Sequence, residues 1–207
     1  MVAKVVDWDA RYLKRDGPLY GGAPNEYVRE IAARSDFAAR SALMLADGDG
    51  RNGRFLATRG LAVTAVDLSG VATERAIAAD RDAGVAVERI AADLATWRPR
   101  NAAVYDAAFM IYLHCDPPTR DRALRSAIDH LAPGGWLVIE GFAKGQAARD
   151  GMGPGDPSLL YAVDELIAAA PGLEVIEALE GRVRLREGEG HRGEALVVRL
   201  AMQCCRE

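Results

Sequence analysis

Cysteine is scarce in this chain. Three residues, Cys115 alone and Cys204-Cys205 adjacent near the C-terminus, lack metal-ligand spacing and cannot build a disulfide framework, which predicts a reducing, cytoplasmic setting and no metal. No apolar run reaches the roughly 18 residues of a membrane span. The opening MVAKVVDWDARY has too short and too interrupted an apolar core for a signal peptide. No lysine/arginine block occurs and the net charge is −4, so a nucleic-acid partner, which calls for a basic stripe, is disfavoured. Internal repeats and low-complexity segments are also missing.

What remains is 207 residues, half of them hydrophobic: enough for one well-buried domain and too few for two ordinary ones. Apolar runs predict strands near 42–46, 61–66, 85–91, 104–111, 135–140, 173–179 and 195–202. Helical patterns run over Pro24–Asp36, Ser69–Ala83, Pro118–Leu131 and Ser158–Ala170, the last stopped by Pro171-Gly172. Strands alternating with helices mean a parallel sheet covered on both faces. The last two strands have no helix between them and are expected to pair antiparallel at one edge.

The most informative stretch is Ser41 to Asp67, SALMLADGDGRNGRFLATRGLAVTAVD. It reads strand, glycine turn, helix, strand, acid: the βαβ unit that binds an adenosine-containing cofactor. Gly48 and Gly50 permit a sharp turn and close approach of a ligand. The following helix offers unpaired N–H groups. Asp67, at the end of the second strand, is placed to accept from both ribose hydroxyls. Gly48, Gly50 and Gly53 satisfy G-x-G-x-x-G, which by itself permits NAD. Asp47 and Asp49 in the same turn suit a cation better than a diphosphate, which points to S-adenosylmethionine (SAM), a sulfonium without phosphate. A second acid, Asp93, follows the third strand; it can accept from an adenine amino group while Leu94 packs on the ring.

With Leu131-Ala-Pro-Gly-Gly135, Trp8-Asp-Ala-Arg-Tyr12, Tyr20-Gly-Gly-Ala-Pro-Asn25, Ala46-Asp-Gly-Asp-Gly-Arg-Asn52 and Glu187-Gly-Glu-Gly-His-Arg192, the chain resembles the class I SAM-dependent methyltransferases over roughly Trp8 to Met202. More narrowly it resembles the branch containing the tellurite-resistance enzymes. The usual opening acid and glycine of the turn are replaced here by Met44 and Ala46. The resemblance implies an α/β fold: a Rossmann-like, doubly wound, mostly parallel seven-stranded sheet with an antiparallel C-terminal strand and an N-terminal helical lid. It is expected as one domain over 1–207, with 1–36 the lid and helix and 40–207 the core. The implied activity is methyl transfer from SAM, leaving S-adenosylhomocysteine (SAH), to a small acceptor such as an oxyanion or a thiol. An NAD(P)-dependent oxidoreductase and a SAM-binding module without turnover stay open, although no Tyr-x-x-x-Lys pair is found. Oligomeric state is not legible.

Ligands of open α/β sheets bind outside the carboxyl ends of the strands. Candidate cofactor residues are therefore Asp47, Gly48, Asp49, Gly50, Arg51, Asn52, Asp67, Leu68, Asp93, Leu94, Met110 and Ile111, with Tyr20 from the N-terminal segment. Candidate catalytic residues are His114, which either contacts cofactor and acceptor or pins its loop, and His191 with Arg192. The last two are read as a loop before the final strand; the resemblance implies that they bind an acceptor oxyanion or move a proton. Trp8 to Asn25, with its aromatics, either closes over the cofactor or docks as a surface arm. Gly151 to Pro157 is expected to be a mobile loop gating the acceptor.

Overall fold

The computed structural model describes residues 6–100, 103–146, 152–188 and 191–205. Seven strands form one sheet: β1 (Ser41–Leu45), β2 (Ala62–Asp67), β3 (Val87–Ala91), β4 (Tyr105–Ile111), β5 (Leu131–Phe142), β6 (Leu173–Glu187) and β7 (His191–Cys204). Their order is β3-β2-β1-β4-β5-β7-β6. Pairing is parallel from β3 to β5, and β7 runs antiparallel to both β5 and β6. The chain leaves β1 toward β2 and β3, then returns to β4 on the other side of β1. This reversal opens a crevice at the carboxyl ends of β1 and β4.

The helices are α1 (Trp8–Leu13), α2 (Glu26–Ala32), α3 (Arg51–Thr58), α4 (Gly70–Asp82), α5 (Pro117–Asp129) and α6 (Val163–Ala169). Alternating side chains of each central strand enter opposite cores. Leu43, Leu45, Met110 and Ile139 pack with Leu124 and Ala127 of α5 and Leu166 of α6. Met44, Phe109 and Val138 pack on the other face with Tyr27 and Ile31 of α2 and Leu56 of α3. Strands enclosed on both faces are why β1 and β4 read as continuous apolar runs.

Local capping explains the helix starts. The Ser69 hydroxyl accepts from Ala72 N–H at 3.0 Å, and Asp116 accepts from Thr119 N–H at 3.1 Å with Pro117 at the first helical position. α2 is shorter than the expected Pro24–Asp36, because Asn25 is its cap and a turn closed by the Arg34–Asp36 ion pair (2.8 Å) ends it. Similarly, α6 begins only at Val163. Tyr161 N–H donates to Phe142 O and Lys144 N–H to Tyr161 O (2.9 and 2.8 Å), drawing the preceding segment onto the sheet.

The largest departure is at the C-terminal end. β6 and β7 form a hairpin paired as far as Glu187 and His191, well beyond the expected 173–179 and 195–202. Alternation continues through Val183 and buried Leu185, with Arg182, Arg184 and Arg186 between them, so the strand period never breaks. His191 and Arg192 therefore open β7 and do not lie in a loop. Because β5 pairs with β7 only up to Val197, the hairpin overhangs the rim of the sheet. Among the described residues no helix is long and apolar enough to cross a membrane.

Candidate functional site

A cavity of about 340 Å³ lies on that rim. Its floor is the turn after β1, the ends of β2 and β4, and the segment after β3; α1 and the β7 end cover it. Asp47, Gly48, Asp49, Arg51, Asn52, Asp67, Leu68, Asp93, Leu94, Ile111, Tyr20, His114 and His191 all line it. Gly50, Met110 and Arg192 do not line it: Gly50 caps α3, Met110 is sealed in the core, and Arg192 is exposed. The expected His191-Arg192 pair is thus divided, since neighbours on a strand point to opposite faces.

The turn after β1 has the backbone that its sequence implies. Ala46, Gly48 and Gly50 have φ of 60°, 56° and 84°. Ala46 thus carries, at a cost, a conformation in which glycine is usual. A Cβ at Gly48 would collide with the Tyr12 hydroxyl from α1, and one at Gly53 would stand 2.5 Å from Asp47 Oδ2. Met44, where an acid is usual, is fully buried under the sheet. Asp47 is enclosed and turned to Arg89 of β3, which also donates to Asp80 (2.8 Å) and Gly50 O (3.1 Å). Burial pushes the Asp47 carboxyl up to about 6 even with the guanidinium opposing it. Arg89 is a structural clamp on the turn that sequence reading missed; nothing in a strand pattern flags one arginine.

Asp67 sits where a nucleoside sugar is expected. Its two oxygens accept from Gly48 N–H (2.7 Å) and Ser69 N–H (2.8 Å), which leaves lone pairs directed elsewhere. Burial raises its pKa against those two donors. Leu68 beside it is 52% exposed, whereas Leu94 is buried. Asp93 accepts from Ala95 N–H at 2.8 Å. A carboxylate for hydroxyls, two leucines for a ring face and a second acid for an amino group fit a nucleoside, and four lining aspartates do not fit a diphosphate.

Rings form the other end of the cavity. His191, buried, lies with its ring centroid 4.7 Å from Tyr20, 4.1 Å from Tyr112 and 5.4 Å from Phe142. Its Nδ1 is enclosed, lies 3.8 Å from a Glu187 carboxylate oxygen, and has no hydrogen-bond partner among the described residues. Burial lowers the His191 pKa while Glu187 pulls the other way. His114 is a different case. Its Nδ1 meets Leu159 O at 2.8 Å and its Nε2 accepts from Phe142 N–H at 3.2 Å, so both nitrogens hold backbone. Burial drives its pKa down to about 4. His114 is a neutral brace between the Leu159 segment and the end of β5, with no nitrogen left for an acceptor.

The N-terminal segment is tied down at several points. Asp9 accepts from the Ser69 hydroxyl (2.5 Å) and Val71 N–H (3.2 Å), and Leu19 N–H donates to Asp49 (3.0 Å). Trp8, Arg11 and Tyr12 thereby line the cavity, and Phe142, Tyr112 and Leu159 line its far end. None of these six was among the expected site residues, although the aromatics of Trp8 to Tyr20 were a signal for cover. Further in, Asn25 bonds Glu140 and Glu187 (2.8 Å to the latter), Arg199 bonds Glu140 at 2.7 Å, and Arg51 bonds Glu187. Burial opposes ionisation of Glu187, but His191, Arg51 and the Glu26 N–H outweigh it and hold the carboxyl at about 2. Residues 189–190 of the expected Glu187–Arg192 motif and Gly151 of the expected Gly151–Pro157 gate lie outside the described residues, while Gly153 and Pro154 of that gate line the cavity. Among the described residues no cluster of metal-ligating side chains is found.

A family model described as a methyltransferase domain matches residues 42–135. No curated protein matches the chain. Among solved structures, TehB from Haemophilus influenzae aligns with TM-score 0.68 at 18% identity over 86% of this chain; this chain spans 61% of that one. The N-methyltransferase NodS from Bradyrhizobium japonicum WM9, in complex with SAH, aligns with TM-score 0.63 at 16% identity, covering 87% of this chain and 88% of its own. The [4+2]-cyclase SpnF aligns with TM-score 0.70 at 15% identity, covering 97% and 94%. At such identities the likeness is one of fold. In that fold and in its matched methyltransferase domain, the chain resembles the class I SAM-dependent methyltransferases, the TehB branch among them.

Proposed function

We propose that the chain transfers a methyl group from SAM to a small-molecule acceptor by in-line displacement. The observation that carries this reading is Asp67 at the end of β2, lining the cavity directly beside the glycine turn whose Gly48 N–H it holds. The methyltransferase-domain match and the SAH-bound neighbour NodS support SAM as the cofactor. Asp67 would hold the ribose, Leu68, Asp93 and Leu94 the adenine, and the turn with Asp49 the amino-acid end. SAM supplies an activated methyl group, and the chain's part is to align the nucleophile and exclude water.

The oxidoreductase alternative is disfavoured by the acids of the turn and by the strand order, in which antiparallel β7 replaces the last parallel strand of a dinucleotide fold. A binding module without turnover fits less well, because the cavity continues past the nucleotide end to Tyr112, Phe142 and His191. The neighbour SpnF, a cyclase, is a reminder that this fold hosts more than one chemistry. Calorimetric titration with SAM, SAH and NADH tests the reading. Binding of SAM and SAH with no heat from NADH is expected; binding of NADH alone would defeat it.

A further inference from the structure

If methyl transfer is the activity, on which this inference rests, the far end of the cavity restricts what is methylated. Its walls are the rings of Tyr20, Tyr112, Phe142 and His191. Among the described residues, no cation is free to help an oxyanion at this end. Arg192 points away, and Arg51 is committed to Glu187 and to the carbonyls of Tyr20 and Ala23 (3.0 and 3.2 Å). Arg11 lies over the Trp8 ring at 5.1 Å on α1. Against these two lining guanidinium groups stand Asp47, Asp49, Asp67 and Asp93. An anionic acceptor would enter a cavity of like charge with no free cation, among the described residues, at the ring-walled end.

Among the described residues the rings leave two polar groups unsatisfied, the Tyr112 hydroxyl and the His191 imidazole, and the imidazole is the one that can take a proton. Glu187, ionised and 3.8 Å from Nδ1, favours the proton on that nitrogen and leaves the Nε2 lone pair as an acceptor. Burial makes this imidazole a weak base. A weak base matches a thiol, whose unperturbed acidity is near pKa 8.5, better than an alcohol or an ammonium near 10.4. Apolar rings also suit sulfur, which is soft and hydrogen-bonds weakly.

We propose that the acceptor is an uncharged thiol carried on an apolar, ring-bearing body, with His191 as the catalytic residue that takes its proton. In the step, the sulfur forms a bond to the methyl carbon and the bond from that carbon to the sulfonium breaks. Its electron pair stays on the departing sulfur as SAH, and the thiol proton moves to His191 Nε2. Glu187 then faces the imidazolium and stabilises it.

The test compares phenylmethanethiol, benzyl alcohol, benzylamine, 2-mercaptoethanesulfonate and selenite as acceptors, with methylated product read by mass spectrometry. Phenylmethanethiol should be used with kcat/KM at least tenfold above the others. In His191→Asn, kcat for it should fall about 100-fold with SAM affinity unchanged, and the acid limb of the pH–rate profile should move to the thiol's own pKa. A preference for selenite, benzylamine or the anionic thiol overturns the inference, as does wild-type kcat in His191→Asn. SAM binding without methylation of phenylmethanethiol defeats this inference alone; failure to bind SAM defeats the reading beneath it.

Discussion

The guanidinium of Arg51, the first residue of α3, donates to the carboxylate of Glu187, the last residue of β6, and both side chains are almost wholly enclosed. This pair joins the cofactor turn to the overhanging hairpin that carries His191. Glu187 also accepts from Asn25 Nδ2 (2.8 Å) and Glu26 N–H (3.1 Å), so the start of α2 is locked to the same point. Removing one partner of a buried pair leaves the other charge uncompensated. Arg51→Met should therefore destabilise the chain by about 3–5 kcal/mol in urea unfolding. Adding Glu187→Leu should recover only part, because the Glu26 N–H and one of the two Asn25 amide hydrogens, the other being held by Glu140, would lose their acceptor. A loss under about 1 kcal/mol in the single variant would show that the pair is not stabilising.

Asp67 serves the turn and, in the proposed function, the ribose. Asp67→Ala removes acceptors from Gly48 and Ser69 N–H, at roughly 1 kcal/mol each, which a domain of ordinary stability survives. SAM affinity should fall at least tenfold, about 1.4 kcal/mol, by calorimetry, while circular dichroism stays that of the wild type. Affinity within twofold of wild type would remove Asp67 from the cofactor site.

Sequence reading reached the β1–β2 unit, the starts of α4 and α5 to within a residue and the antiparallel ending, because each has a local cause: a glycine turn, a Ser or a Pro at the helix start, a strand period. It could not reach Arg89 holding Asp47, since that contact joins residues 42 positions apart and depends on how β3 lies beside the turn. Nor could it separate His191 from Arg192. Whether two adjacent residues converge or diverge depends on loop or strand, and the strand was expected to begin only near 195. For His114 the sequence left two readings open, contact with cofactor and acceptor or pinning of its loop, and the structure favours the second. Only the positions of Leu159 O and Phe142 N–H show that both its nitrogens are occupied.

The N-terminal segment is expected to act as a lid over the cofactor. Tyr12, whose hydroxyl lies against Gly48, and the bond from Leu19 N–H to Asp49 place it against the turn, and Asp9 anchors it to the start of α4. Deleting residues 1–22 should weaken SAM binding at least tenfold (about 1.4 kcal/mol) and speed SAH release in stopped-flow displacement. The truncated chain should still fold, because the sheet and both of its main cores lie outside the deleted segment. Unchanged affinity and release would make α1 a docked arm with no gating role.

The brace at His114 should make stability depend on pH in a window of its own. Its folded-state pKa, lowered to about 4 by burial, lies below the unfolded value of about 6.5. The contribution is therefore fully present above pH 6.5 and is lost as the pH falls toward 4, by about 3 kcal/mol in all. Asp47 and Glu140, raised by burial to about 6, act in the opposite sense: they favour the folded state at low pH and lose that contribution as the pH rises through 6. Because both remain in His114→Gln, they cancel in a comparison of the two proteins. The variant should start less stable at pH 7, lacking the two backbone bonds, and the gap should narrow steadily toward pH 4 in urea unfolding. Parallel curves across that range would mean that His114 keeps its ordinary pKa and that its ring is not sealed between Leu159 and Phe142.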